Sequence, residues 1–253
     1  MLLKFQVLYT FRVNLIIELL NGVKDGFGDV ILNLLAESLG LTTIVGGWVV
    51  FILALLWALK TAPWHKVNGD KAAQHVLLGL SVIVFFVWQF GANLDNGITF
   101  HFLLMTLMTL MFGPQFAIVG MLLALIGVTY QADLGWLSFG INAVLMGIVP
   151  ITVTWVLYRL GAKFLEANFF VYIFYNGFFS SAVGVVVSLG LSALVLGLNE
   201  VYSPQILEQS FIVYIPLMAT PEGFVNGMLL AALVVLKPNW IATFHDQTYI
   251  NGK

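Results

Sequence analysis

Between Ile98 and Tyr130 the chain runs 33 residues without a single Lys, Arg, Asp or Glu. A soluble domain of this size cannot hide so long an apolar stretch in one core, whereas about 20 residues already cross the hydrocarbon of a bilayer. The stretch therefore predicts more than one membrane span. Gly113-Pro114 stands at its middle. Such a pair ends helices and turns the chain, because proline lacks an N–H and glycine tolerates unusual backbone angles. We expect two short helices, Thr99 to Phe112 and Gln115 to Tyr130, joined by a tight turn. One long kinked helix is the alternative.

Five further runs have the length of a span: Leu41 to Leu59, Val76 to Phe90, Leu134 to Leu160, Phe169 to Leu198 and Phe211 to Leu236. Lys60 closes the first and Lys237-Pro238 stops the last. Apolar residues make up 60% of the chain and charged residues 9%, where soluble domains carry about 25% charge. The expected fold class is an all-α, polytopic membrane helix bundle of about seven transmembrane helices. Three regions follow. Residues 1–40 mix charge with apolar runs; Val30, Ile31, Leu34 and Leu35 lie opposite Asp29 and Asn33, as in an amphipathic helix at the membrane interface. A poor eighth span, Phe5 to Leu20, is the other reading of that region. Residues 41–236 form the bundle, and 237–253 a cytoplasmic C-terminal tail.

Charge placement orients the bundle. Lys and Arg gather in short cytoplasmic loops. With the Lys60 to Lys71 loop inside, alternation brings Arg159, Lys163, Lys237 and Lys253 to the same side. Asp95, Asp133, Glu200 and Glu208 fall outside. This agreement requires the break at Gly113-Pro114, since a single helix there would put Arg159 and Lys163 on the outer side. The N-terminus is then outside, with Lys4, Arg12 and Lys24 as exceptions, and the C-terminus is cytoplasmic. The chain has no cysteine, which excludes thiol catalysis, disulfides and thiolate metal sites. No basic tract points to nucleic acid. No nucleophile–base pair points to an enzyme.

Few polar residues enter the spans. His101, Asn142, Asn176, Ser180, Ser181, Glu222 and Asn226 are the main ones. A carboxylate at such depth costs about 2.5 kcal/mol or more unless compensated, and marks a functional site by default. At about 1.5 Å per residue, His101 lies near the outer surface, Asn142 roughly 12 Å in and Glu222 roughly 16 Å in. Met105 follows His101 by one turn. Imidazole, amide, thioether and carboxylate converging from the outer side would form a cation site. The structural alternative separates them: His101 bonded at the interface, Asn142 and Asn226 joining helices, and Glu222 paired with a helix end.

His101-Phe-Leu-Leu-Met-Thr-Leu-Met-Thr-Leu-Met-Phe-Gly113-Pro114 resembles a His-Leu-Leu-Gly-type run leading to Gly-Pro in CbiM-like proteins. Phe139-Gly140-Ile-Asn142-Ala-Val-Leu-Met146-Gly147 is similar to their Leu-Gly-Ala-Asn-x-x-x-Met-Gly motif. Glu222-Gly223 matches a Glu-Gly pair. The last stretch, Lys237-Pro-Asn-Trp-Ile-Ala-Thr-Phe-His-Asp246, with Phe100-His101-Phe102, looks closest to one bacterial branch. The resemblance covers about Val76 to the C-terminus. CbiM-like proteins are the substrate-capturing membrane components of energy-coupling-factor transporters for cobalt and nickel. The resemblance implies a seven-helix fold with its N-terminus outside, and a metal-ligand role for His101. An N-terminal Met-His supplies further ligands in that family, whereas this sequence begins Met-Leu-Leu-Lys and holds no histidine before His65.

The expected function is an integral membrane transport component, in a bacterial inner membrane, that captures a small cation from the outer side. The cation is a divalent transition metal (Ni, Co or Zn), and the candidate ligands are His101, Glu222, Asn142 and Met105. No Gly-x-x-x-x-Gly-Lys-Ser/Thr stretch is present, so energy must come from partners: other membrane subunits or a transporter ATPase module, beside the lipid itself. The alternative is an accessory or assembly subunit of a larger membrane complex that keeps the fold without transport.

Overall fold

The computed structural model describes residues 39–90, 92–93, 99–131 and 135–249. The expected interfacial helix around Val30 to Leu35, the exceptions Lys4, Arg12 and Lys24, and Asp95, Asp133 and Lys253 lie outside the described residues. Among these residues, six helical runs are long and apolar enough to cross a membrane. They are α1 (Leu41–Thr61), α2 (Lys71–Gln89), α3 (Met105–Gln131), α4 (Trp136–Phe164), α5 (Phe169–Leu198) and the run Pro204–Leu236. The last run comprises a short α6 (Pro204–Ser210), a 3-10 turn at Ile212–Tyr214 and the long α7 (Ile215–Leu236). A final turn, α8 (Asp246–Tyr249), follows. The protein is an all-α polytopic membrane bundle.

Six spans replace the expected seven because the third and fourth expected helices form one run, α3. That run is broken inside. Gly113 has φ 80° and ψ 164°, a region open essentially to glycine alone. A Cβ placed on Gly120 would lie 2.8 Å from Met108 Sδ. Twelve residues of straight helix would separate the two by about 18 Å, so the two arms of α3 fold back on each other. The first arm also starts later than expected. Thr99–Phe100 pairs antiparallel with Ala92–Asn93 instead of being helical, and helix begins only at Met105. From Met105 to Phe112 the first arm is about 12 Å long, well short of the ~30 Å hydrocarbon thickness.

At one end of the bundle, Asn199 Oδ1, just past α5, accepts from Gly40 N at 2.7 Å and from Thr43 Oγ1 at 3.0 Å, at the start of α1. At the other end, Ala62, Leu77 and Phe116 pack together with Phe112. Backbones approach closely where α1 crosses α4: Gly47 lies against the Ile141 backbone and Gly140 against that of Trp48. Small residues at crossings are how helices associate in lipid, where no hydrophobic force draws them together. The innermost runs are α3 and α4, each over half buried (56%), whereas α1 turns most of its surface outward (17% buried).

The break has an energetic signature. Alanine at position 113 must adopt a backbone conformation that only glycine holds without strain, so Gly113→Ala should destabilise the protein by about 1–3 kcal/mol. On α1, a Cβ added at Gly46 would meet nothing within 4 Å, and Gly46→Ala should leave stability unchanged or slightly raised. Unfolding midpoints of the two variants in detergent test the contrast; equal midpoints would mean that the turn does not depend on Gly113.

Candidate functional site

A helix that starts inside a bundle leaves its first N–H groups without intrahelical partners. The first arm of α3 is such a helix. Leu104, just before it, has φ 57°, a left-handed conformation rare for leucine. This twist aims successive amides at α7. Leu103 N donates to Glu222 Oε2 at 2.8 Å, and Leu104 N to Glu222 Oε1 at 2.8 Å. One turn further along both helices, Leu107 N donates to Asn226 Oδ1 at 2.9 Å. Glu222 and Asn226 thus cap a helix to which they do not belong.

The two caps also brace each other. Asn226 Nδ2 donates to Glu222 Oε1 at 2.8 Å and to the Glu222 carbonyl at 2.9 Å. Ser181 Oγ of α5 donates to that same carbonyl at 3.2 Å. On the other side, Trp88 Nε1 of α2 donates to the Leu103 carbonyl at 3.2 Å. Glu222 is 2% exposed and Asn226 fully buried. A carboxylate suits this position: it accepts amide hydrogens and faces the positive end of the helix dipole. The cost of placing it in the bundle is offset by three N–H donors.

His101 sits two residues before the Glu222 anchor. Its Nδ1 lies 3.3 Å from the Phe102 carbonyl. A carbonyl can only accept, so this contact requires the hydrogen on Nδ1, which in a neutral ring leaves the lone pair on Nε2. That Nε2 is buried, with no hydrogen-bond partner among the described residues. The ring lies 5.7 Å from that of Trp88. Gln89 Nε2, next along α2, is likewise buried without a partner among the described residues. Met105 is fully buried and opens the first arm of α3.

Glu222, Met105 and His101 are therefore joined through the 101–105 segment. Asn142 is buried in α4, where its Nδ2 donates to Ser138 Oγ at 3.5 Å, at the head of a π-helical stretch, Ala143–Ile148. Among the described residues no group of three or more His, Cys, Asp or Glu is placed to hold a metal ion. Sequence reasoning does not single out Trp88, Gln89 or the Leu103–Leu104 amides. An indole inside a bundle needs an acceptor for its N–H, which is a signal for Trp88. Backbone amides carry no signal in sequence at all.

The cap predicts a graded loss. Glu222→Ala leaves the Leu103 and Leu104 amides and Asn226 Nδ2 short of acceptors, at about 1–3 kcal/mol for each group left unsatisfied. Glu222→Gln keeps one acceptor oxygen and should fall between wild type and Glu222→Ala. Melting temperatures of the purified variants rank them; Glu222→Ala matching wild type would remove the capping role.

Comparison with known proteins agrees with this architecture. The family model described as "CbiM: Cobalt uptake substrate-specific transmembrane region" matches residues 33–240. A solved structure titled as a transition metal transporter is 20% identical, with a TM-score of 0.66, covering 80% of this chain and 92% of that one. Another, titled as a truncated transition metal transporter, is 18% identical, with a TM-score of 0.64 and coverage of 80% and 98%. At such identity these two likenesses bear on the fold alone. No match is found among curated proteins. The family match runs from before α1 to the turn after α7, and the chain belongs to the CbiM family, the substrate-specific transmembrane components of cobalt uptake.

Proposed function

We propose that this chain captures a divalent transition metal ion (Ni, Co or Zn) from the outer side of a bacterial inner membrane, with His101 as its first ligand. The observation that carries this reading is the buried His101 Nε2, a lone pair with no hydrogen-bond partner among the described residues. Its other nitrogen faces a backbone carbonyl, the arrangement that fixes the tautomer of metal-binding histidines. Glu222 serves first to hold the His101 segment. Its Oε2 accepts one bond from Leu103 N and has room for another contact, so it is the second ligand. Met105 and Asn142 contribute a thioether and an amide oxygen. The family describes a metal-uptake component, and energy comes from partner subunits carrying the ATPase module.

Orientation follows the charges. Lys60, Lys66, Lys71, Arg159, Lys163 and Lys237 all belong to the end of the bundle where α1 stops and α3 turns. We place that end, and the C-terminus, in the cytoplasm, and the N-terminus outside. The folded-back arms of α3 support counting them as two of seven membrane-entering helices. Because the chain has no native cysteine, single substitutions read the sides directly. Glu200→Cys should react with an impermeant maleimide in intact cells and Lys66→Cys should not; the reverse pattern would invert the orientation.

A second reading, an accessory subunit that keeps the fold without transport, is favoured by the commitment of Glu222 to a helix end. Metal binding separates the two. Isothermal titration of the purified protein with Ni²⁺, Co²⁺ and Zn²⁺ should show one site, weakened by more than about tenfold in His101→Ala. Binding should also weaken as pH falls, because protons compete for the ligating nitrogen. A wild-type protein without metal affinity, or a His101→Ala variant with unaltered affinity, would favour the accessory reading.

A further inference from the structure

The break at Gly113 leaves carbonyls at the end of the first α3 arm without their usual helical partners. The chain after α7 returns to supply them. Ala242 N donates to the Met111 carbonyl at 2.8 Å, and Thr243 N to the Leu110 carbonyl at 3.3 Å. Thr243 Oγ1 donates to the same Leu110 carbonyl at 2.7 Å. Since that hydroxyl has spent its one hydrogen, Tyr172 OH of α5 is the donor in their 2.6 Å contact. Tyr158 OH of α4 donates to the Thr243 carbonyl at 3.3 Å. Ile241, Thr243 and Phe244 are each at most 4% exposed. Phe244 packs edge-on against Tyr172 and stacks on Tyr249. These residues are a built-in part of the bundle rather than a loose tail.

The first arm of α3 is thus gripped at both ends by other elements. Glu222 and Asn226 hold its start, and Thr243 holds its finish. The two grips are about 9 Å apart along two turns of helix. Every residue from Met105 to Met111 is buried, and Thr106 Oγ1 meets Thr154 Oγ1 of α4 at 2.7 Å. A two-turn helix enclosed at every residue has little room to bend between its two grips.

We propose that Thr243 is a positioning residue for metal capture: by bonding the Leu110 carbonyl it fixes the first α3 arm, and through that arm the Leu103–Leu104 amides and His101. Release of the 241–244 segment at one end loosens the capture segment at the other. By linkage, loading the capture segment tightens the hold on 241–244. A partner at the α3-turn end of the bundle could then sense occupancy without touching the metal site. The metal arm of this inference rests on the capture function proposed above; the structural arm does not.

Hydrogen exchange of the full-length protein in lipid nanodiscs tests the structural arm without metal. Thr243→Val keeps the side-chain shape and removes the hydroxyl. It should speed exchange of the Leu103, Leu104 and Leu107 amides by about tenfold, the worth of one buried hydrogen bond. Thr243→Ser should restore wild-type rates. Tyr172→Phe, a milder change, should give the same signature if Thr243→Val does not fold. Faster exchange confined to residues 108–112 and 238–245 would overturn the proposal. In the metal arm, Ni²⁺ titration of Thr243→Val should show affinity lowered by a similar factor, restored in Thr243→Ser. Normal Ni²⁺ affinity in Thr243→Val, beside a wild-type protein that binds, would also overturn it. A wild-type protein that binds no Ni²⁺ would count against the capture function alone, and the exchange result would still decide the coupling.

Discussion

The carboxylate of Glu222 accepts the amide hydrogens of Leu103 and Leu104 across the gap between α7 and the start of α3, and most of the site is arranged around that contact. Away from water, a helix cannot begin with unsatisfied amides. A carboxylate cannot sit there without donors. Each therefore compensates the other. Asn226 repeats the arrangement one turn on, and Ser181 and Trp88 secure the backbone on either side. The unusual backbone of Leu104 follows from the need to aim two consecutive amides at one carboxylate.

The same accounting applies at the far end of that arm. A helix stopped by Gly113 leaves bare carbonyls, and Ala242 and Thr243 supply the donors. The short arm is therefore an insert, closed at its start by α7 and at its finish by the chain that follows α7. One contiguous stretch of sequence, from Glu222 to Thr243, supplies both closures. Residues 101–104 and the chain after α7 are therefore joined through one short helix, although more than a hundred residues separate His101 from either closure.

The family and the site chemistry fit together through His101. The proposed capture role draws on membership in a metal-uptake family and on an imidazole nitrogen with no hydrogen-bond partner among the described residues. The Glu222 cap explains why its segment is held so firmly. What the family's Glu-Gly pair does here is visible in the geometry: the glutamate holds the helix end, and Gly223 lets α7 approach the Phe178 carbonyl of α5, where a Cβ would come within 3.1 Å.

Much of the fold was legible in the sequence. Apolar run length located α1, α2, α4, α5 and α7, with α2 beginning at Lys71 where Val76 was expected, because in lipid the length of a span is set by bilayer thickness. Gly113-Pro114 announced the turn, since few other residues can occupy it. The alternative role for Glu222, pairing with a helix end, was also available from the chemistry of an isolated carboxylate. Sequence could not say which helix end, nor that the helix would begin at Met105 and not Thr99. Those outcomes depend on backbone amides and carbonyls, which every residue carries alike and which sequence therefore does not distinguish. The docking of Thr243 on Leu110 was invisible for the same reason. The sequence determined that the chain fills a membrane and where it turns; only the tertiary structure decided which orphan donor meets which acceptor, because that pairing depends on distances between segments that composition and periodicity do not encode.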